Sequence, residues 1–131
     1  MVTGKLMVVD DDKDIRDSLK MFLEPEGYHI LEASNGQEAI DQLKSEDNMV
    51  NVGAILCDIR MPRVNGLECI SFFRREAPGI PIIVITGFPE TDMAVDLLKK
   101  GCKDYLTKPV EKSKLLSVVN KVVAQGKELE F

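Results

Sequence analysis

Four stretches of the sequence end an apolar run in a residue able to do chemistry. Leu6-Met7-Val8-Val9 runs into Asp10, Asp11 and Asp12, and Ala54-Ile55-Leu56-Cys57 runs into Asp58. The run through residues 80–85 ends in Thr86, and Tyr105-Leu106-Thr107 ends in Lys108. Each has an ordinary explanation when taken alone: an Asp after a strand commonly caps a helix, a Thr there is a turn residue, and a Lys is usually solvated. Together they are complementary. Crowded carboxylates repel one another and favour a cation between them, and hard oxygen ligands with room for water suit Mg²⁺. A metal among carboxylates beside a lysine and a hydroxyl is the equipment of phosphoryl transfer, where catalysis is largely positioning and charge neutralisation. A carboxylate can itself be the acceptor, forming an acyl phosphate.

The intervening elements decide whether these groups can meet. Ile15, Leu19, Phe22 and Leu23 recur at helical spacing before Pro25 and Gly27 end the pattern. Residues 28–33 alternate loosely and predict a second strand. Ser34 with Gln37 predicts a capping box, followed by a helix with Ala39, Ile40 and Leu43 on its apolar face. Residues 45–53 are polar apart from Met49, Val50 and Val52 and read as a surface loop. A third helix carries Leu67, Ile70 and Phe73 and closes before Pro78-Gly79. A fourth carries Met93, Ala94, Leu97 and Leu98 and stops at Gly101, and the last shows Leu115, Leu116, Val119, Val122 and Val123. Five alternations of strand and helix with short links predict an α/β fold, a doubly wound (βα)5 domain with a five-stranded parallel sheet and right-handed crossovers. Parallel strands share one carboxyl edge, where ligands bind in open α/β sheets. Asp10, Asp11, Asp58, Thr86 and Lys108 are therefore expected to converge.

The chain of 131 residues suits one domain with a real core. The expected division is a domain over residues 1–125 and a tail or linker over 126–131. A net charge of −5 argues against nucleic-acid binding as the main business. Cys57, Cys69 and Cys102 share no C-x-x-C spacing and read as reduced core thiols, and the lone His29 reads as a solvated or edge-strand residue. The sequence shows no basic-plus-apolar N-terminal segment and no run of membrane-spanning length, so the expected location is the cytoplasm.

Val8-Val9-Asp10-Asp11-Asp12, Cys57-Asp58-Ile59-Arg60-Met61-Pro62 with Asn65-Gly66, Ile85-Thr86-Gly87 and Tyr105-Leu106-Thr107-Lys108-Pro109 resemble the receiver domain of two-component response regulators, of the chemotaxis-regulator type. The match covers nearly the whole chain, with every motif in order. The resemblance implies a flavodoxin-like strand order 2-1-3-4-5 and a phosphorelay switch in which Asp58 is the phosphoacceptor, taking a phosphoryl group from a phosphohistidine. It implies Mg²⁺ as cofactor, with Mn²⁺ a possible substitute, held by Asp11, Asp10, Asp58 and the backbone carbonyl of Arg60. Lys108 would pair with a phosphoryl oxygen and Thr86 would hydrogen-bond another. Thr86 and Tyr105 would form the switch, relaying the change to the face made by the fourth helix, fifth strand and fifth helix. A phosphoryl group adds nearly two negative charges and strong acceptors, enough to bias such a loop. Implied partners are a sensor histidine kinase or phosphotransfer protein and an output domain or downstream protein, with no direct nucleic-acid contact and no membrane. No enzymatic activity beyond the chain's own phosphoryl transfer and dephosphorylation is expected.

The resemblance further suggests a cis Lys108-Pro109 bond and, at Gly87, a position where bulk would obstruct the phosphodonor. Arg60 and Phe88 are expected at the mouth of the site, tuning hydrolysis. Asn65 stands where many relatives carry Asp, Asp12 reads more as a helix cap than a metal ligand, and the last helix lacks the arginine-rich pattern of regulators that dimerise through it. Two other readings compete. Asp10-x-Asp12, Thr86 and Lys108 also resemble haloacid-dehalogenase phosphatases, with Asp10 as nucleophile, although no acidic pair follows Lys108 and Asp58 would go unexplained. The other is a receiver-like interaction module that is never phosphorylated.

Overall fold

Every strand predicted from the sequence pairs in parallel with its neighbours in the computed structural model, which describes residues 4–59, 65–87, 96, 98–99 and 101–128. The strands are β1 (Lys5–Val9), β2 (His29–Ala33), β3 (Val52–Ile59), β4 (Ile82–Thr86) and β5 (Asp104–Thr107), in the order β2-β1-β3-β4-β5. That is the expected flavodoxin-like order. The longer helices are α1 (Lys13–Leu23), α2 (Gly36–Leu43), α3 (Asn65–Glu76) and α4 (Lys112–Glu128).

Alternation along the strands sorts the core into two layers. Met7, Val9, Ile55, Cys57, Ile82 and Val84 pack on one side against Ala39, Ile40 and Leu43 of α2 and Ile70 and Phe73 of α3. Leu6, Val8, Ala54, Leu56, Ile83, Ile85 and Leu106 pack on the other against Leu19 and Leu23 of α1 and Leu115, Val119 and Val122 of α4. A sheet covered on both faces needs apolar residues at successive positions, which is why its strands read as continuous runs.

Helix ends follow local chemistry. Asp12 caps α1, its side chain accepting the Asp14 N–H at 2.9 Å. After α1 a short 3₁₀ turn (Glu24–Glu26) leads to Gly27, whose φ of 102° is the left-handed conformation glycine tolerates. The cap of α2 corrects the sequence reading by one residue. Asn35 accepts the Glu38 N–H at 2.9 Å, and Glu38 Oε1 accepts the Ser34 N–H at 2.9 Å, so the box is Asn35 with Glu38, not Ser34 with Gln37. The stretch 45–53 is also more than a loop: a single helical turn (Asn48–Asn51) precedes β3, which begins at Val52. Its Asn48 is buried, taking a bond from Lys5 Nζ at 2.9 Å and donating to the Gln42 carbonyl at 2.8 Å. That tertiary anchoring, not helical periodicity, fixes the turn.

Met93, Ala94 and Leu97 lie outside the described residues, as do the side chains of Leu67 and Cys69. Asp96, Leu98 and Lys99 are helical, but Leu98 is 45% exposed rather than part of an apolar face. Gly101 closes that helix at φ 115°, its N–H donating to the Leu98 carbonyl. Among the described residues no helix is long and apolar enough to cross a membrane.

Candidate functional site

Strand register assembles the site. Val9 pairs with Cys57, so Asp10 and Asp58, each one residue further on, come side by side at the carboxyl edge of the sheet. Asp10 follows Val8 by two residues, Asp58 follows Leu56 by two and Lys108 follows Leu106 by two, which places all three on the sheet face covered by α1 and α4. The side chain of Asp58 is 2% exposed, and Lys108 Nζ sits 2.6 Å from its Oδ1. Both Asp58 oxygens and Oδ2 of Asp10 are shut off from solvent. Burial pushes the Asp58 carboxyl above its ordinary value; the Lys108 ammonium draws it down and the neighbouring Asp10 charge pushes it up again. The net direction is upward, chiefly through burial, with the neighbouring Asp10 adding to it.

Asp10 is fixed at several atoms. Its N–H donates to the Ala33 carbonyl at 3.0 Å, and its Oδ1 accepts the Asp12 N–H at 2.8 Å. Its carbonyl accepts from Arg16 Nη1 at 2.6 Å. Asp11 is exposed beside it. Thr86 is buried at the end of β4, and its carbonyl accepts the Lys108 N–H at 2.8 Å, tying the ends of β4 and β5 together. Thr86 lies two residues past Val84, and Tyr105 pairs with Val84, so both fall on the opposite sheet face from Asp58, where the Tyr105 ring is partly buried. The Lys108-Pro109 peptide is cis, as the resemblance implies. A Cβ at Gly87 would meet only Lys108 Cδ at 3.9 Å, ordinary contact, so glycine is not required there by packing. Arg60 and Phe88 lie outside the described residues.

The arrangement therefore joins Asp10, Asp58 and Lys108 tightly, puts Asp11 at the rim, and sets Thr86 at the adjoining end of β4 with Tyr105 further back, near the start of β5. Among the described residues, no three His, Cys, Asp or Glu side chains form a group able to hold a metal. Mg²⁺ does not need one: it is commonly held through one or two carboxylates while keeping several waters. A buried pair of oxygen donors whose charges repel fits that ion by hardness and by charge. An apolar hollow of about 320 Å³ lined by Ile15, Leu19, Phe22, Pro109 and Val110 opens beside Lys108.

Cys57 and Cys102 are buried and form no disulfide, as read from the sequence, with Cys102 pushed up to about 11 by burial and by Asp104. His29 is exposed on the edge strand. Arg16 and Glu32 escaped the sequence reading, although Arg16 stands one helical turn beyond the Asp12 cap and so faces back toward the acidic loop.

The family profile described as the response regulator receiver domain matches residues 6–120. The phosphoglycerate transport system transcriptional regulatory protein PgtA of Salmonella typhimurium is 32% identical over 124 residues, which cover 95% of this chain and 29% of that protein. The transcriptional regulatory protein FixJ of Bradyrhizobium diazoefficiens is 29% identical over 123 residues, 94% of this chain and 58% of that one. The chain thus spans between about three-tenths and three-fifths of these curated relatives. Among solved structures, a response regulator receiver domain protein from Clostridium thermocellum superposes with a TM-score of 0.83 at 28% identity, covering 96% of this chain and 98% of that one. A CheY-like receiver domain protein from Methanospirillum hungatei gives a TM-score of 0.81 at 28% identity, covering 97% and 98%.

Proposed function

Because this chain belongs to the response regulator receiver domains of two-component systems, we propose that it is a phosphorylation-operated switch with Asp58 as the phosphoacceptor. The observation that carries the reading is the Asp58 carboxylate, side chain 2% exposed, with the Lys108 ammonium at 2.6 Å and Asp10 alongside. An Asp58 oxygen forms the new O–P bond while the P–N bond to a donor phosphohistidine breaks, the electron pair staying with the imidazole nitrogen. Lys108 meets the charge on the transferring group, and it is already in place before the donor arrives. Asp10, Asp11, Asp58 and the Arg60 carbonyl would hold Mg²⁺, which would supply charge neutralisation for the transferring phosphoryl group. Mg²⁺ would serve as cofactor, and the acceptor in this reading is the domain's own carboxylate.

Once phosphorylated, Asp58 carries nearly two negative charges and new acceptor oxygens. Thr86 hydrogen-bonds one of them, and because its carbonyl is tied to the Lys108 N–H, movement of one strand end moves the other. Tyr105, on the same sheet face as Thr86, follows. The readout face then comprises β5, α4 and the helical segment before Gly101. Partners in this reading are a sensor kinase or phosphotransfer protein, bearing on the hollow beside Lys108, and an output domain or downstream protein.

The test is intact mass after incubation with a small phosphodonor, with and without Mg²⁺, for the natural chain and Asp58→Asn. One phosphoryl adduct that needs Mg²⁺ and vanishes in the variant is expected. An adduct persisting in Asp58→Asn would move the acceptor to Asp10 and revive the phosphatase reading. No adduct on a folded chain would leave an interaction module.

A further inference from the structure

We propose that Arg16 is a positioning residue for the acidic loop, its guanidinium fixing the backbone of Asp10 so that the carboxylate pair is preset for a divalent cation. The inference rests on the reading of Asp10 and Asp58 as the cation site. Arg16 makes two bonds to two different elements: Nη1 donates to the Asp10 carbonyl at 2.6 Å and Nε to Glu32 Oε1 on β2 at 3.0 Å. The second oxygen of Glu32 is taken by Lys20 Nζ at 3.0 Å. Glu32 is itself placed by register, its Cα paired with Val8 two residues before Asp10. The Arg16 side chain is 16% exposed, so water competes little for these bonds.

The chain Lys20–Glu32–Arg16–Asp10 thus runs from the last turn of α1 through β2 to the loop. A lysine could not replace Arg16 in it. An ammonium on a flexible stem lacks the planar fork that satisfies a carbonyl and a carboxylate at fixed angles. Charge argues in the same direction. A cation beside the loop by itself opposes the arrival of a second cation, so any benefit Arg16 brings to cation binding comes from geometry. Groups of this kind, one step removed from the ligands, commonly set metal affinity.

This opposition of charge and geometry gives the test a sign. Mg²⁺ affinity is measured by titration calorimetry on the natural chain, Arg16→Lys, Arg16→Met and Lys20→Met, with urea midpoints in chelator to separate folding from binding. Positioning predicts that Arg16→Lys and Arg16→Met both weaken Mg²⁺ roughly tenfold. Lys20→Met, which releases Glu32 and leaves Arg16 in place, weakens it by a smaller factor and serves if the Arg16 variants lose the fold. An Arg16→Lys that binds like the natural chain, or an Arg16→Met or Lys20→Met that binds more tightly, overturns the proposal. A natural chain that binds no Mg²⁺ overturns the reading of the site itself, before any variant is compared.

Discussion

Asp58 stores an electrostatic cost that the fold bears until a ligand relieves it. Its carboxyl is raised above the ordinary value of 3.8, chiefly by burial, with Lys108 opposing and Asp10 adding. A carboxyl raised in the folded state favours folding while protonated, so its contribution is fully present below 3.8 and is lost as pH rises through the raised value. In chelator, Asp58→Asn, which cannot ionise, is therefore expected to have a higher urea midpoint than the natural chain at neutral pH. The advantage should shrink to a constant offset below pH 3.8. A gap independent of pH would mean that the Asp58 charge is solvated and that the crowding of the two carboxylates does not matter.

The elements show where local sequence suffices and where it does not. Two cap-forming residues, Ser34 and Asn35, stand next to each other, and composition cannot choose between them; the backbone puts Asn35 at the cap and the Ser34 N–H on Glu38 Oε1. Asn35→Ala is expected to cost about 1 kcal/mol in urea denaturation, while Ser34→Ala, which keeps the N–H, changes little. Equal losses would return the cap to Ser34. The strands were legible because Val8-Val9 and Ala54-Ile55-Leu56 are apolar at successive positions in short runs bounded by turn signals, the pattern a sheet covered on both faces demands. The convergence of Asp10, Asp58 and Lys108 followed from the shared carboxyl edge. Contacts that depend on register were not legible: Arg16 with Glu32, sixteen residues apart, or the Tyr28 hydroxyl donating to Asn120, ninety-two apart. Glu32 gives the first of these a measurable form. Its carboxyl is held below the ordinary 4.5, first by Lys20 and then by Arg16. Its contribution is present above 4.5 and lost as pH falls through the lowered value. Glu32→Gln should therefore lose about 0.5–1 kcal/mol at neutral pH, a partly exposed pair giving no more. The loss should fade as the acid is taken down from pH 4.5.

At the scale of the whole molecule, the two apolar layers hold the strand ends together against the repulsion at the carboxyl edge of the sheet. Leu6, Met7, Ile55, Leu56 and Ile83 are wholly buried immediately beneath Asp10, Asp58 and Thr86, so the strand ends cannot splay to separate the charges without exposing core. A cation that binds only the folded chain then stabilises all of it, by about 2.7 kcal/mol at one hundred times its dissociation constant. For a domain of this size that is a rise of roughly 10 °C in melting temperature. The raised Asp58 carboxyl makes this gain depend on pH, because a proton held there must leave before the ion can use that oxygen. Melting curves at fixed Mg²⁺ should show the larger stabilisation at pH 8 and a smaller one at pH 5, with the difference abolished in Asp58→Asn. A stabilisation of equal size at both pH values would place the cation at Asp11 and the exposed rim instead of between the buried pair. No stabilisation at either pH would mean that the buried charge is met by Lys108 without a cation.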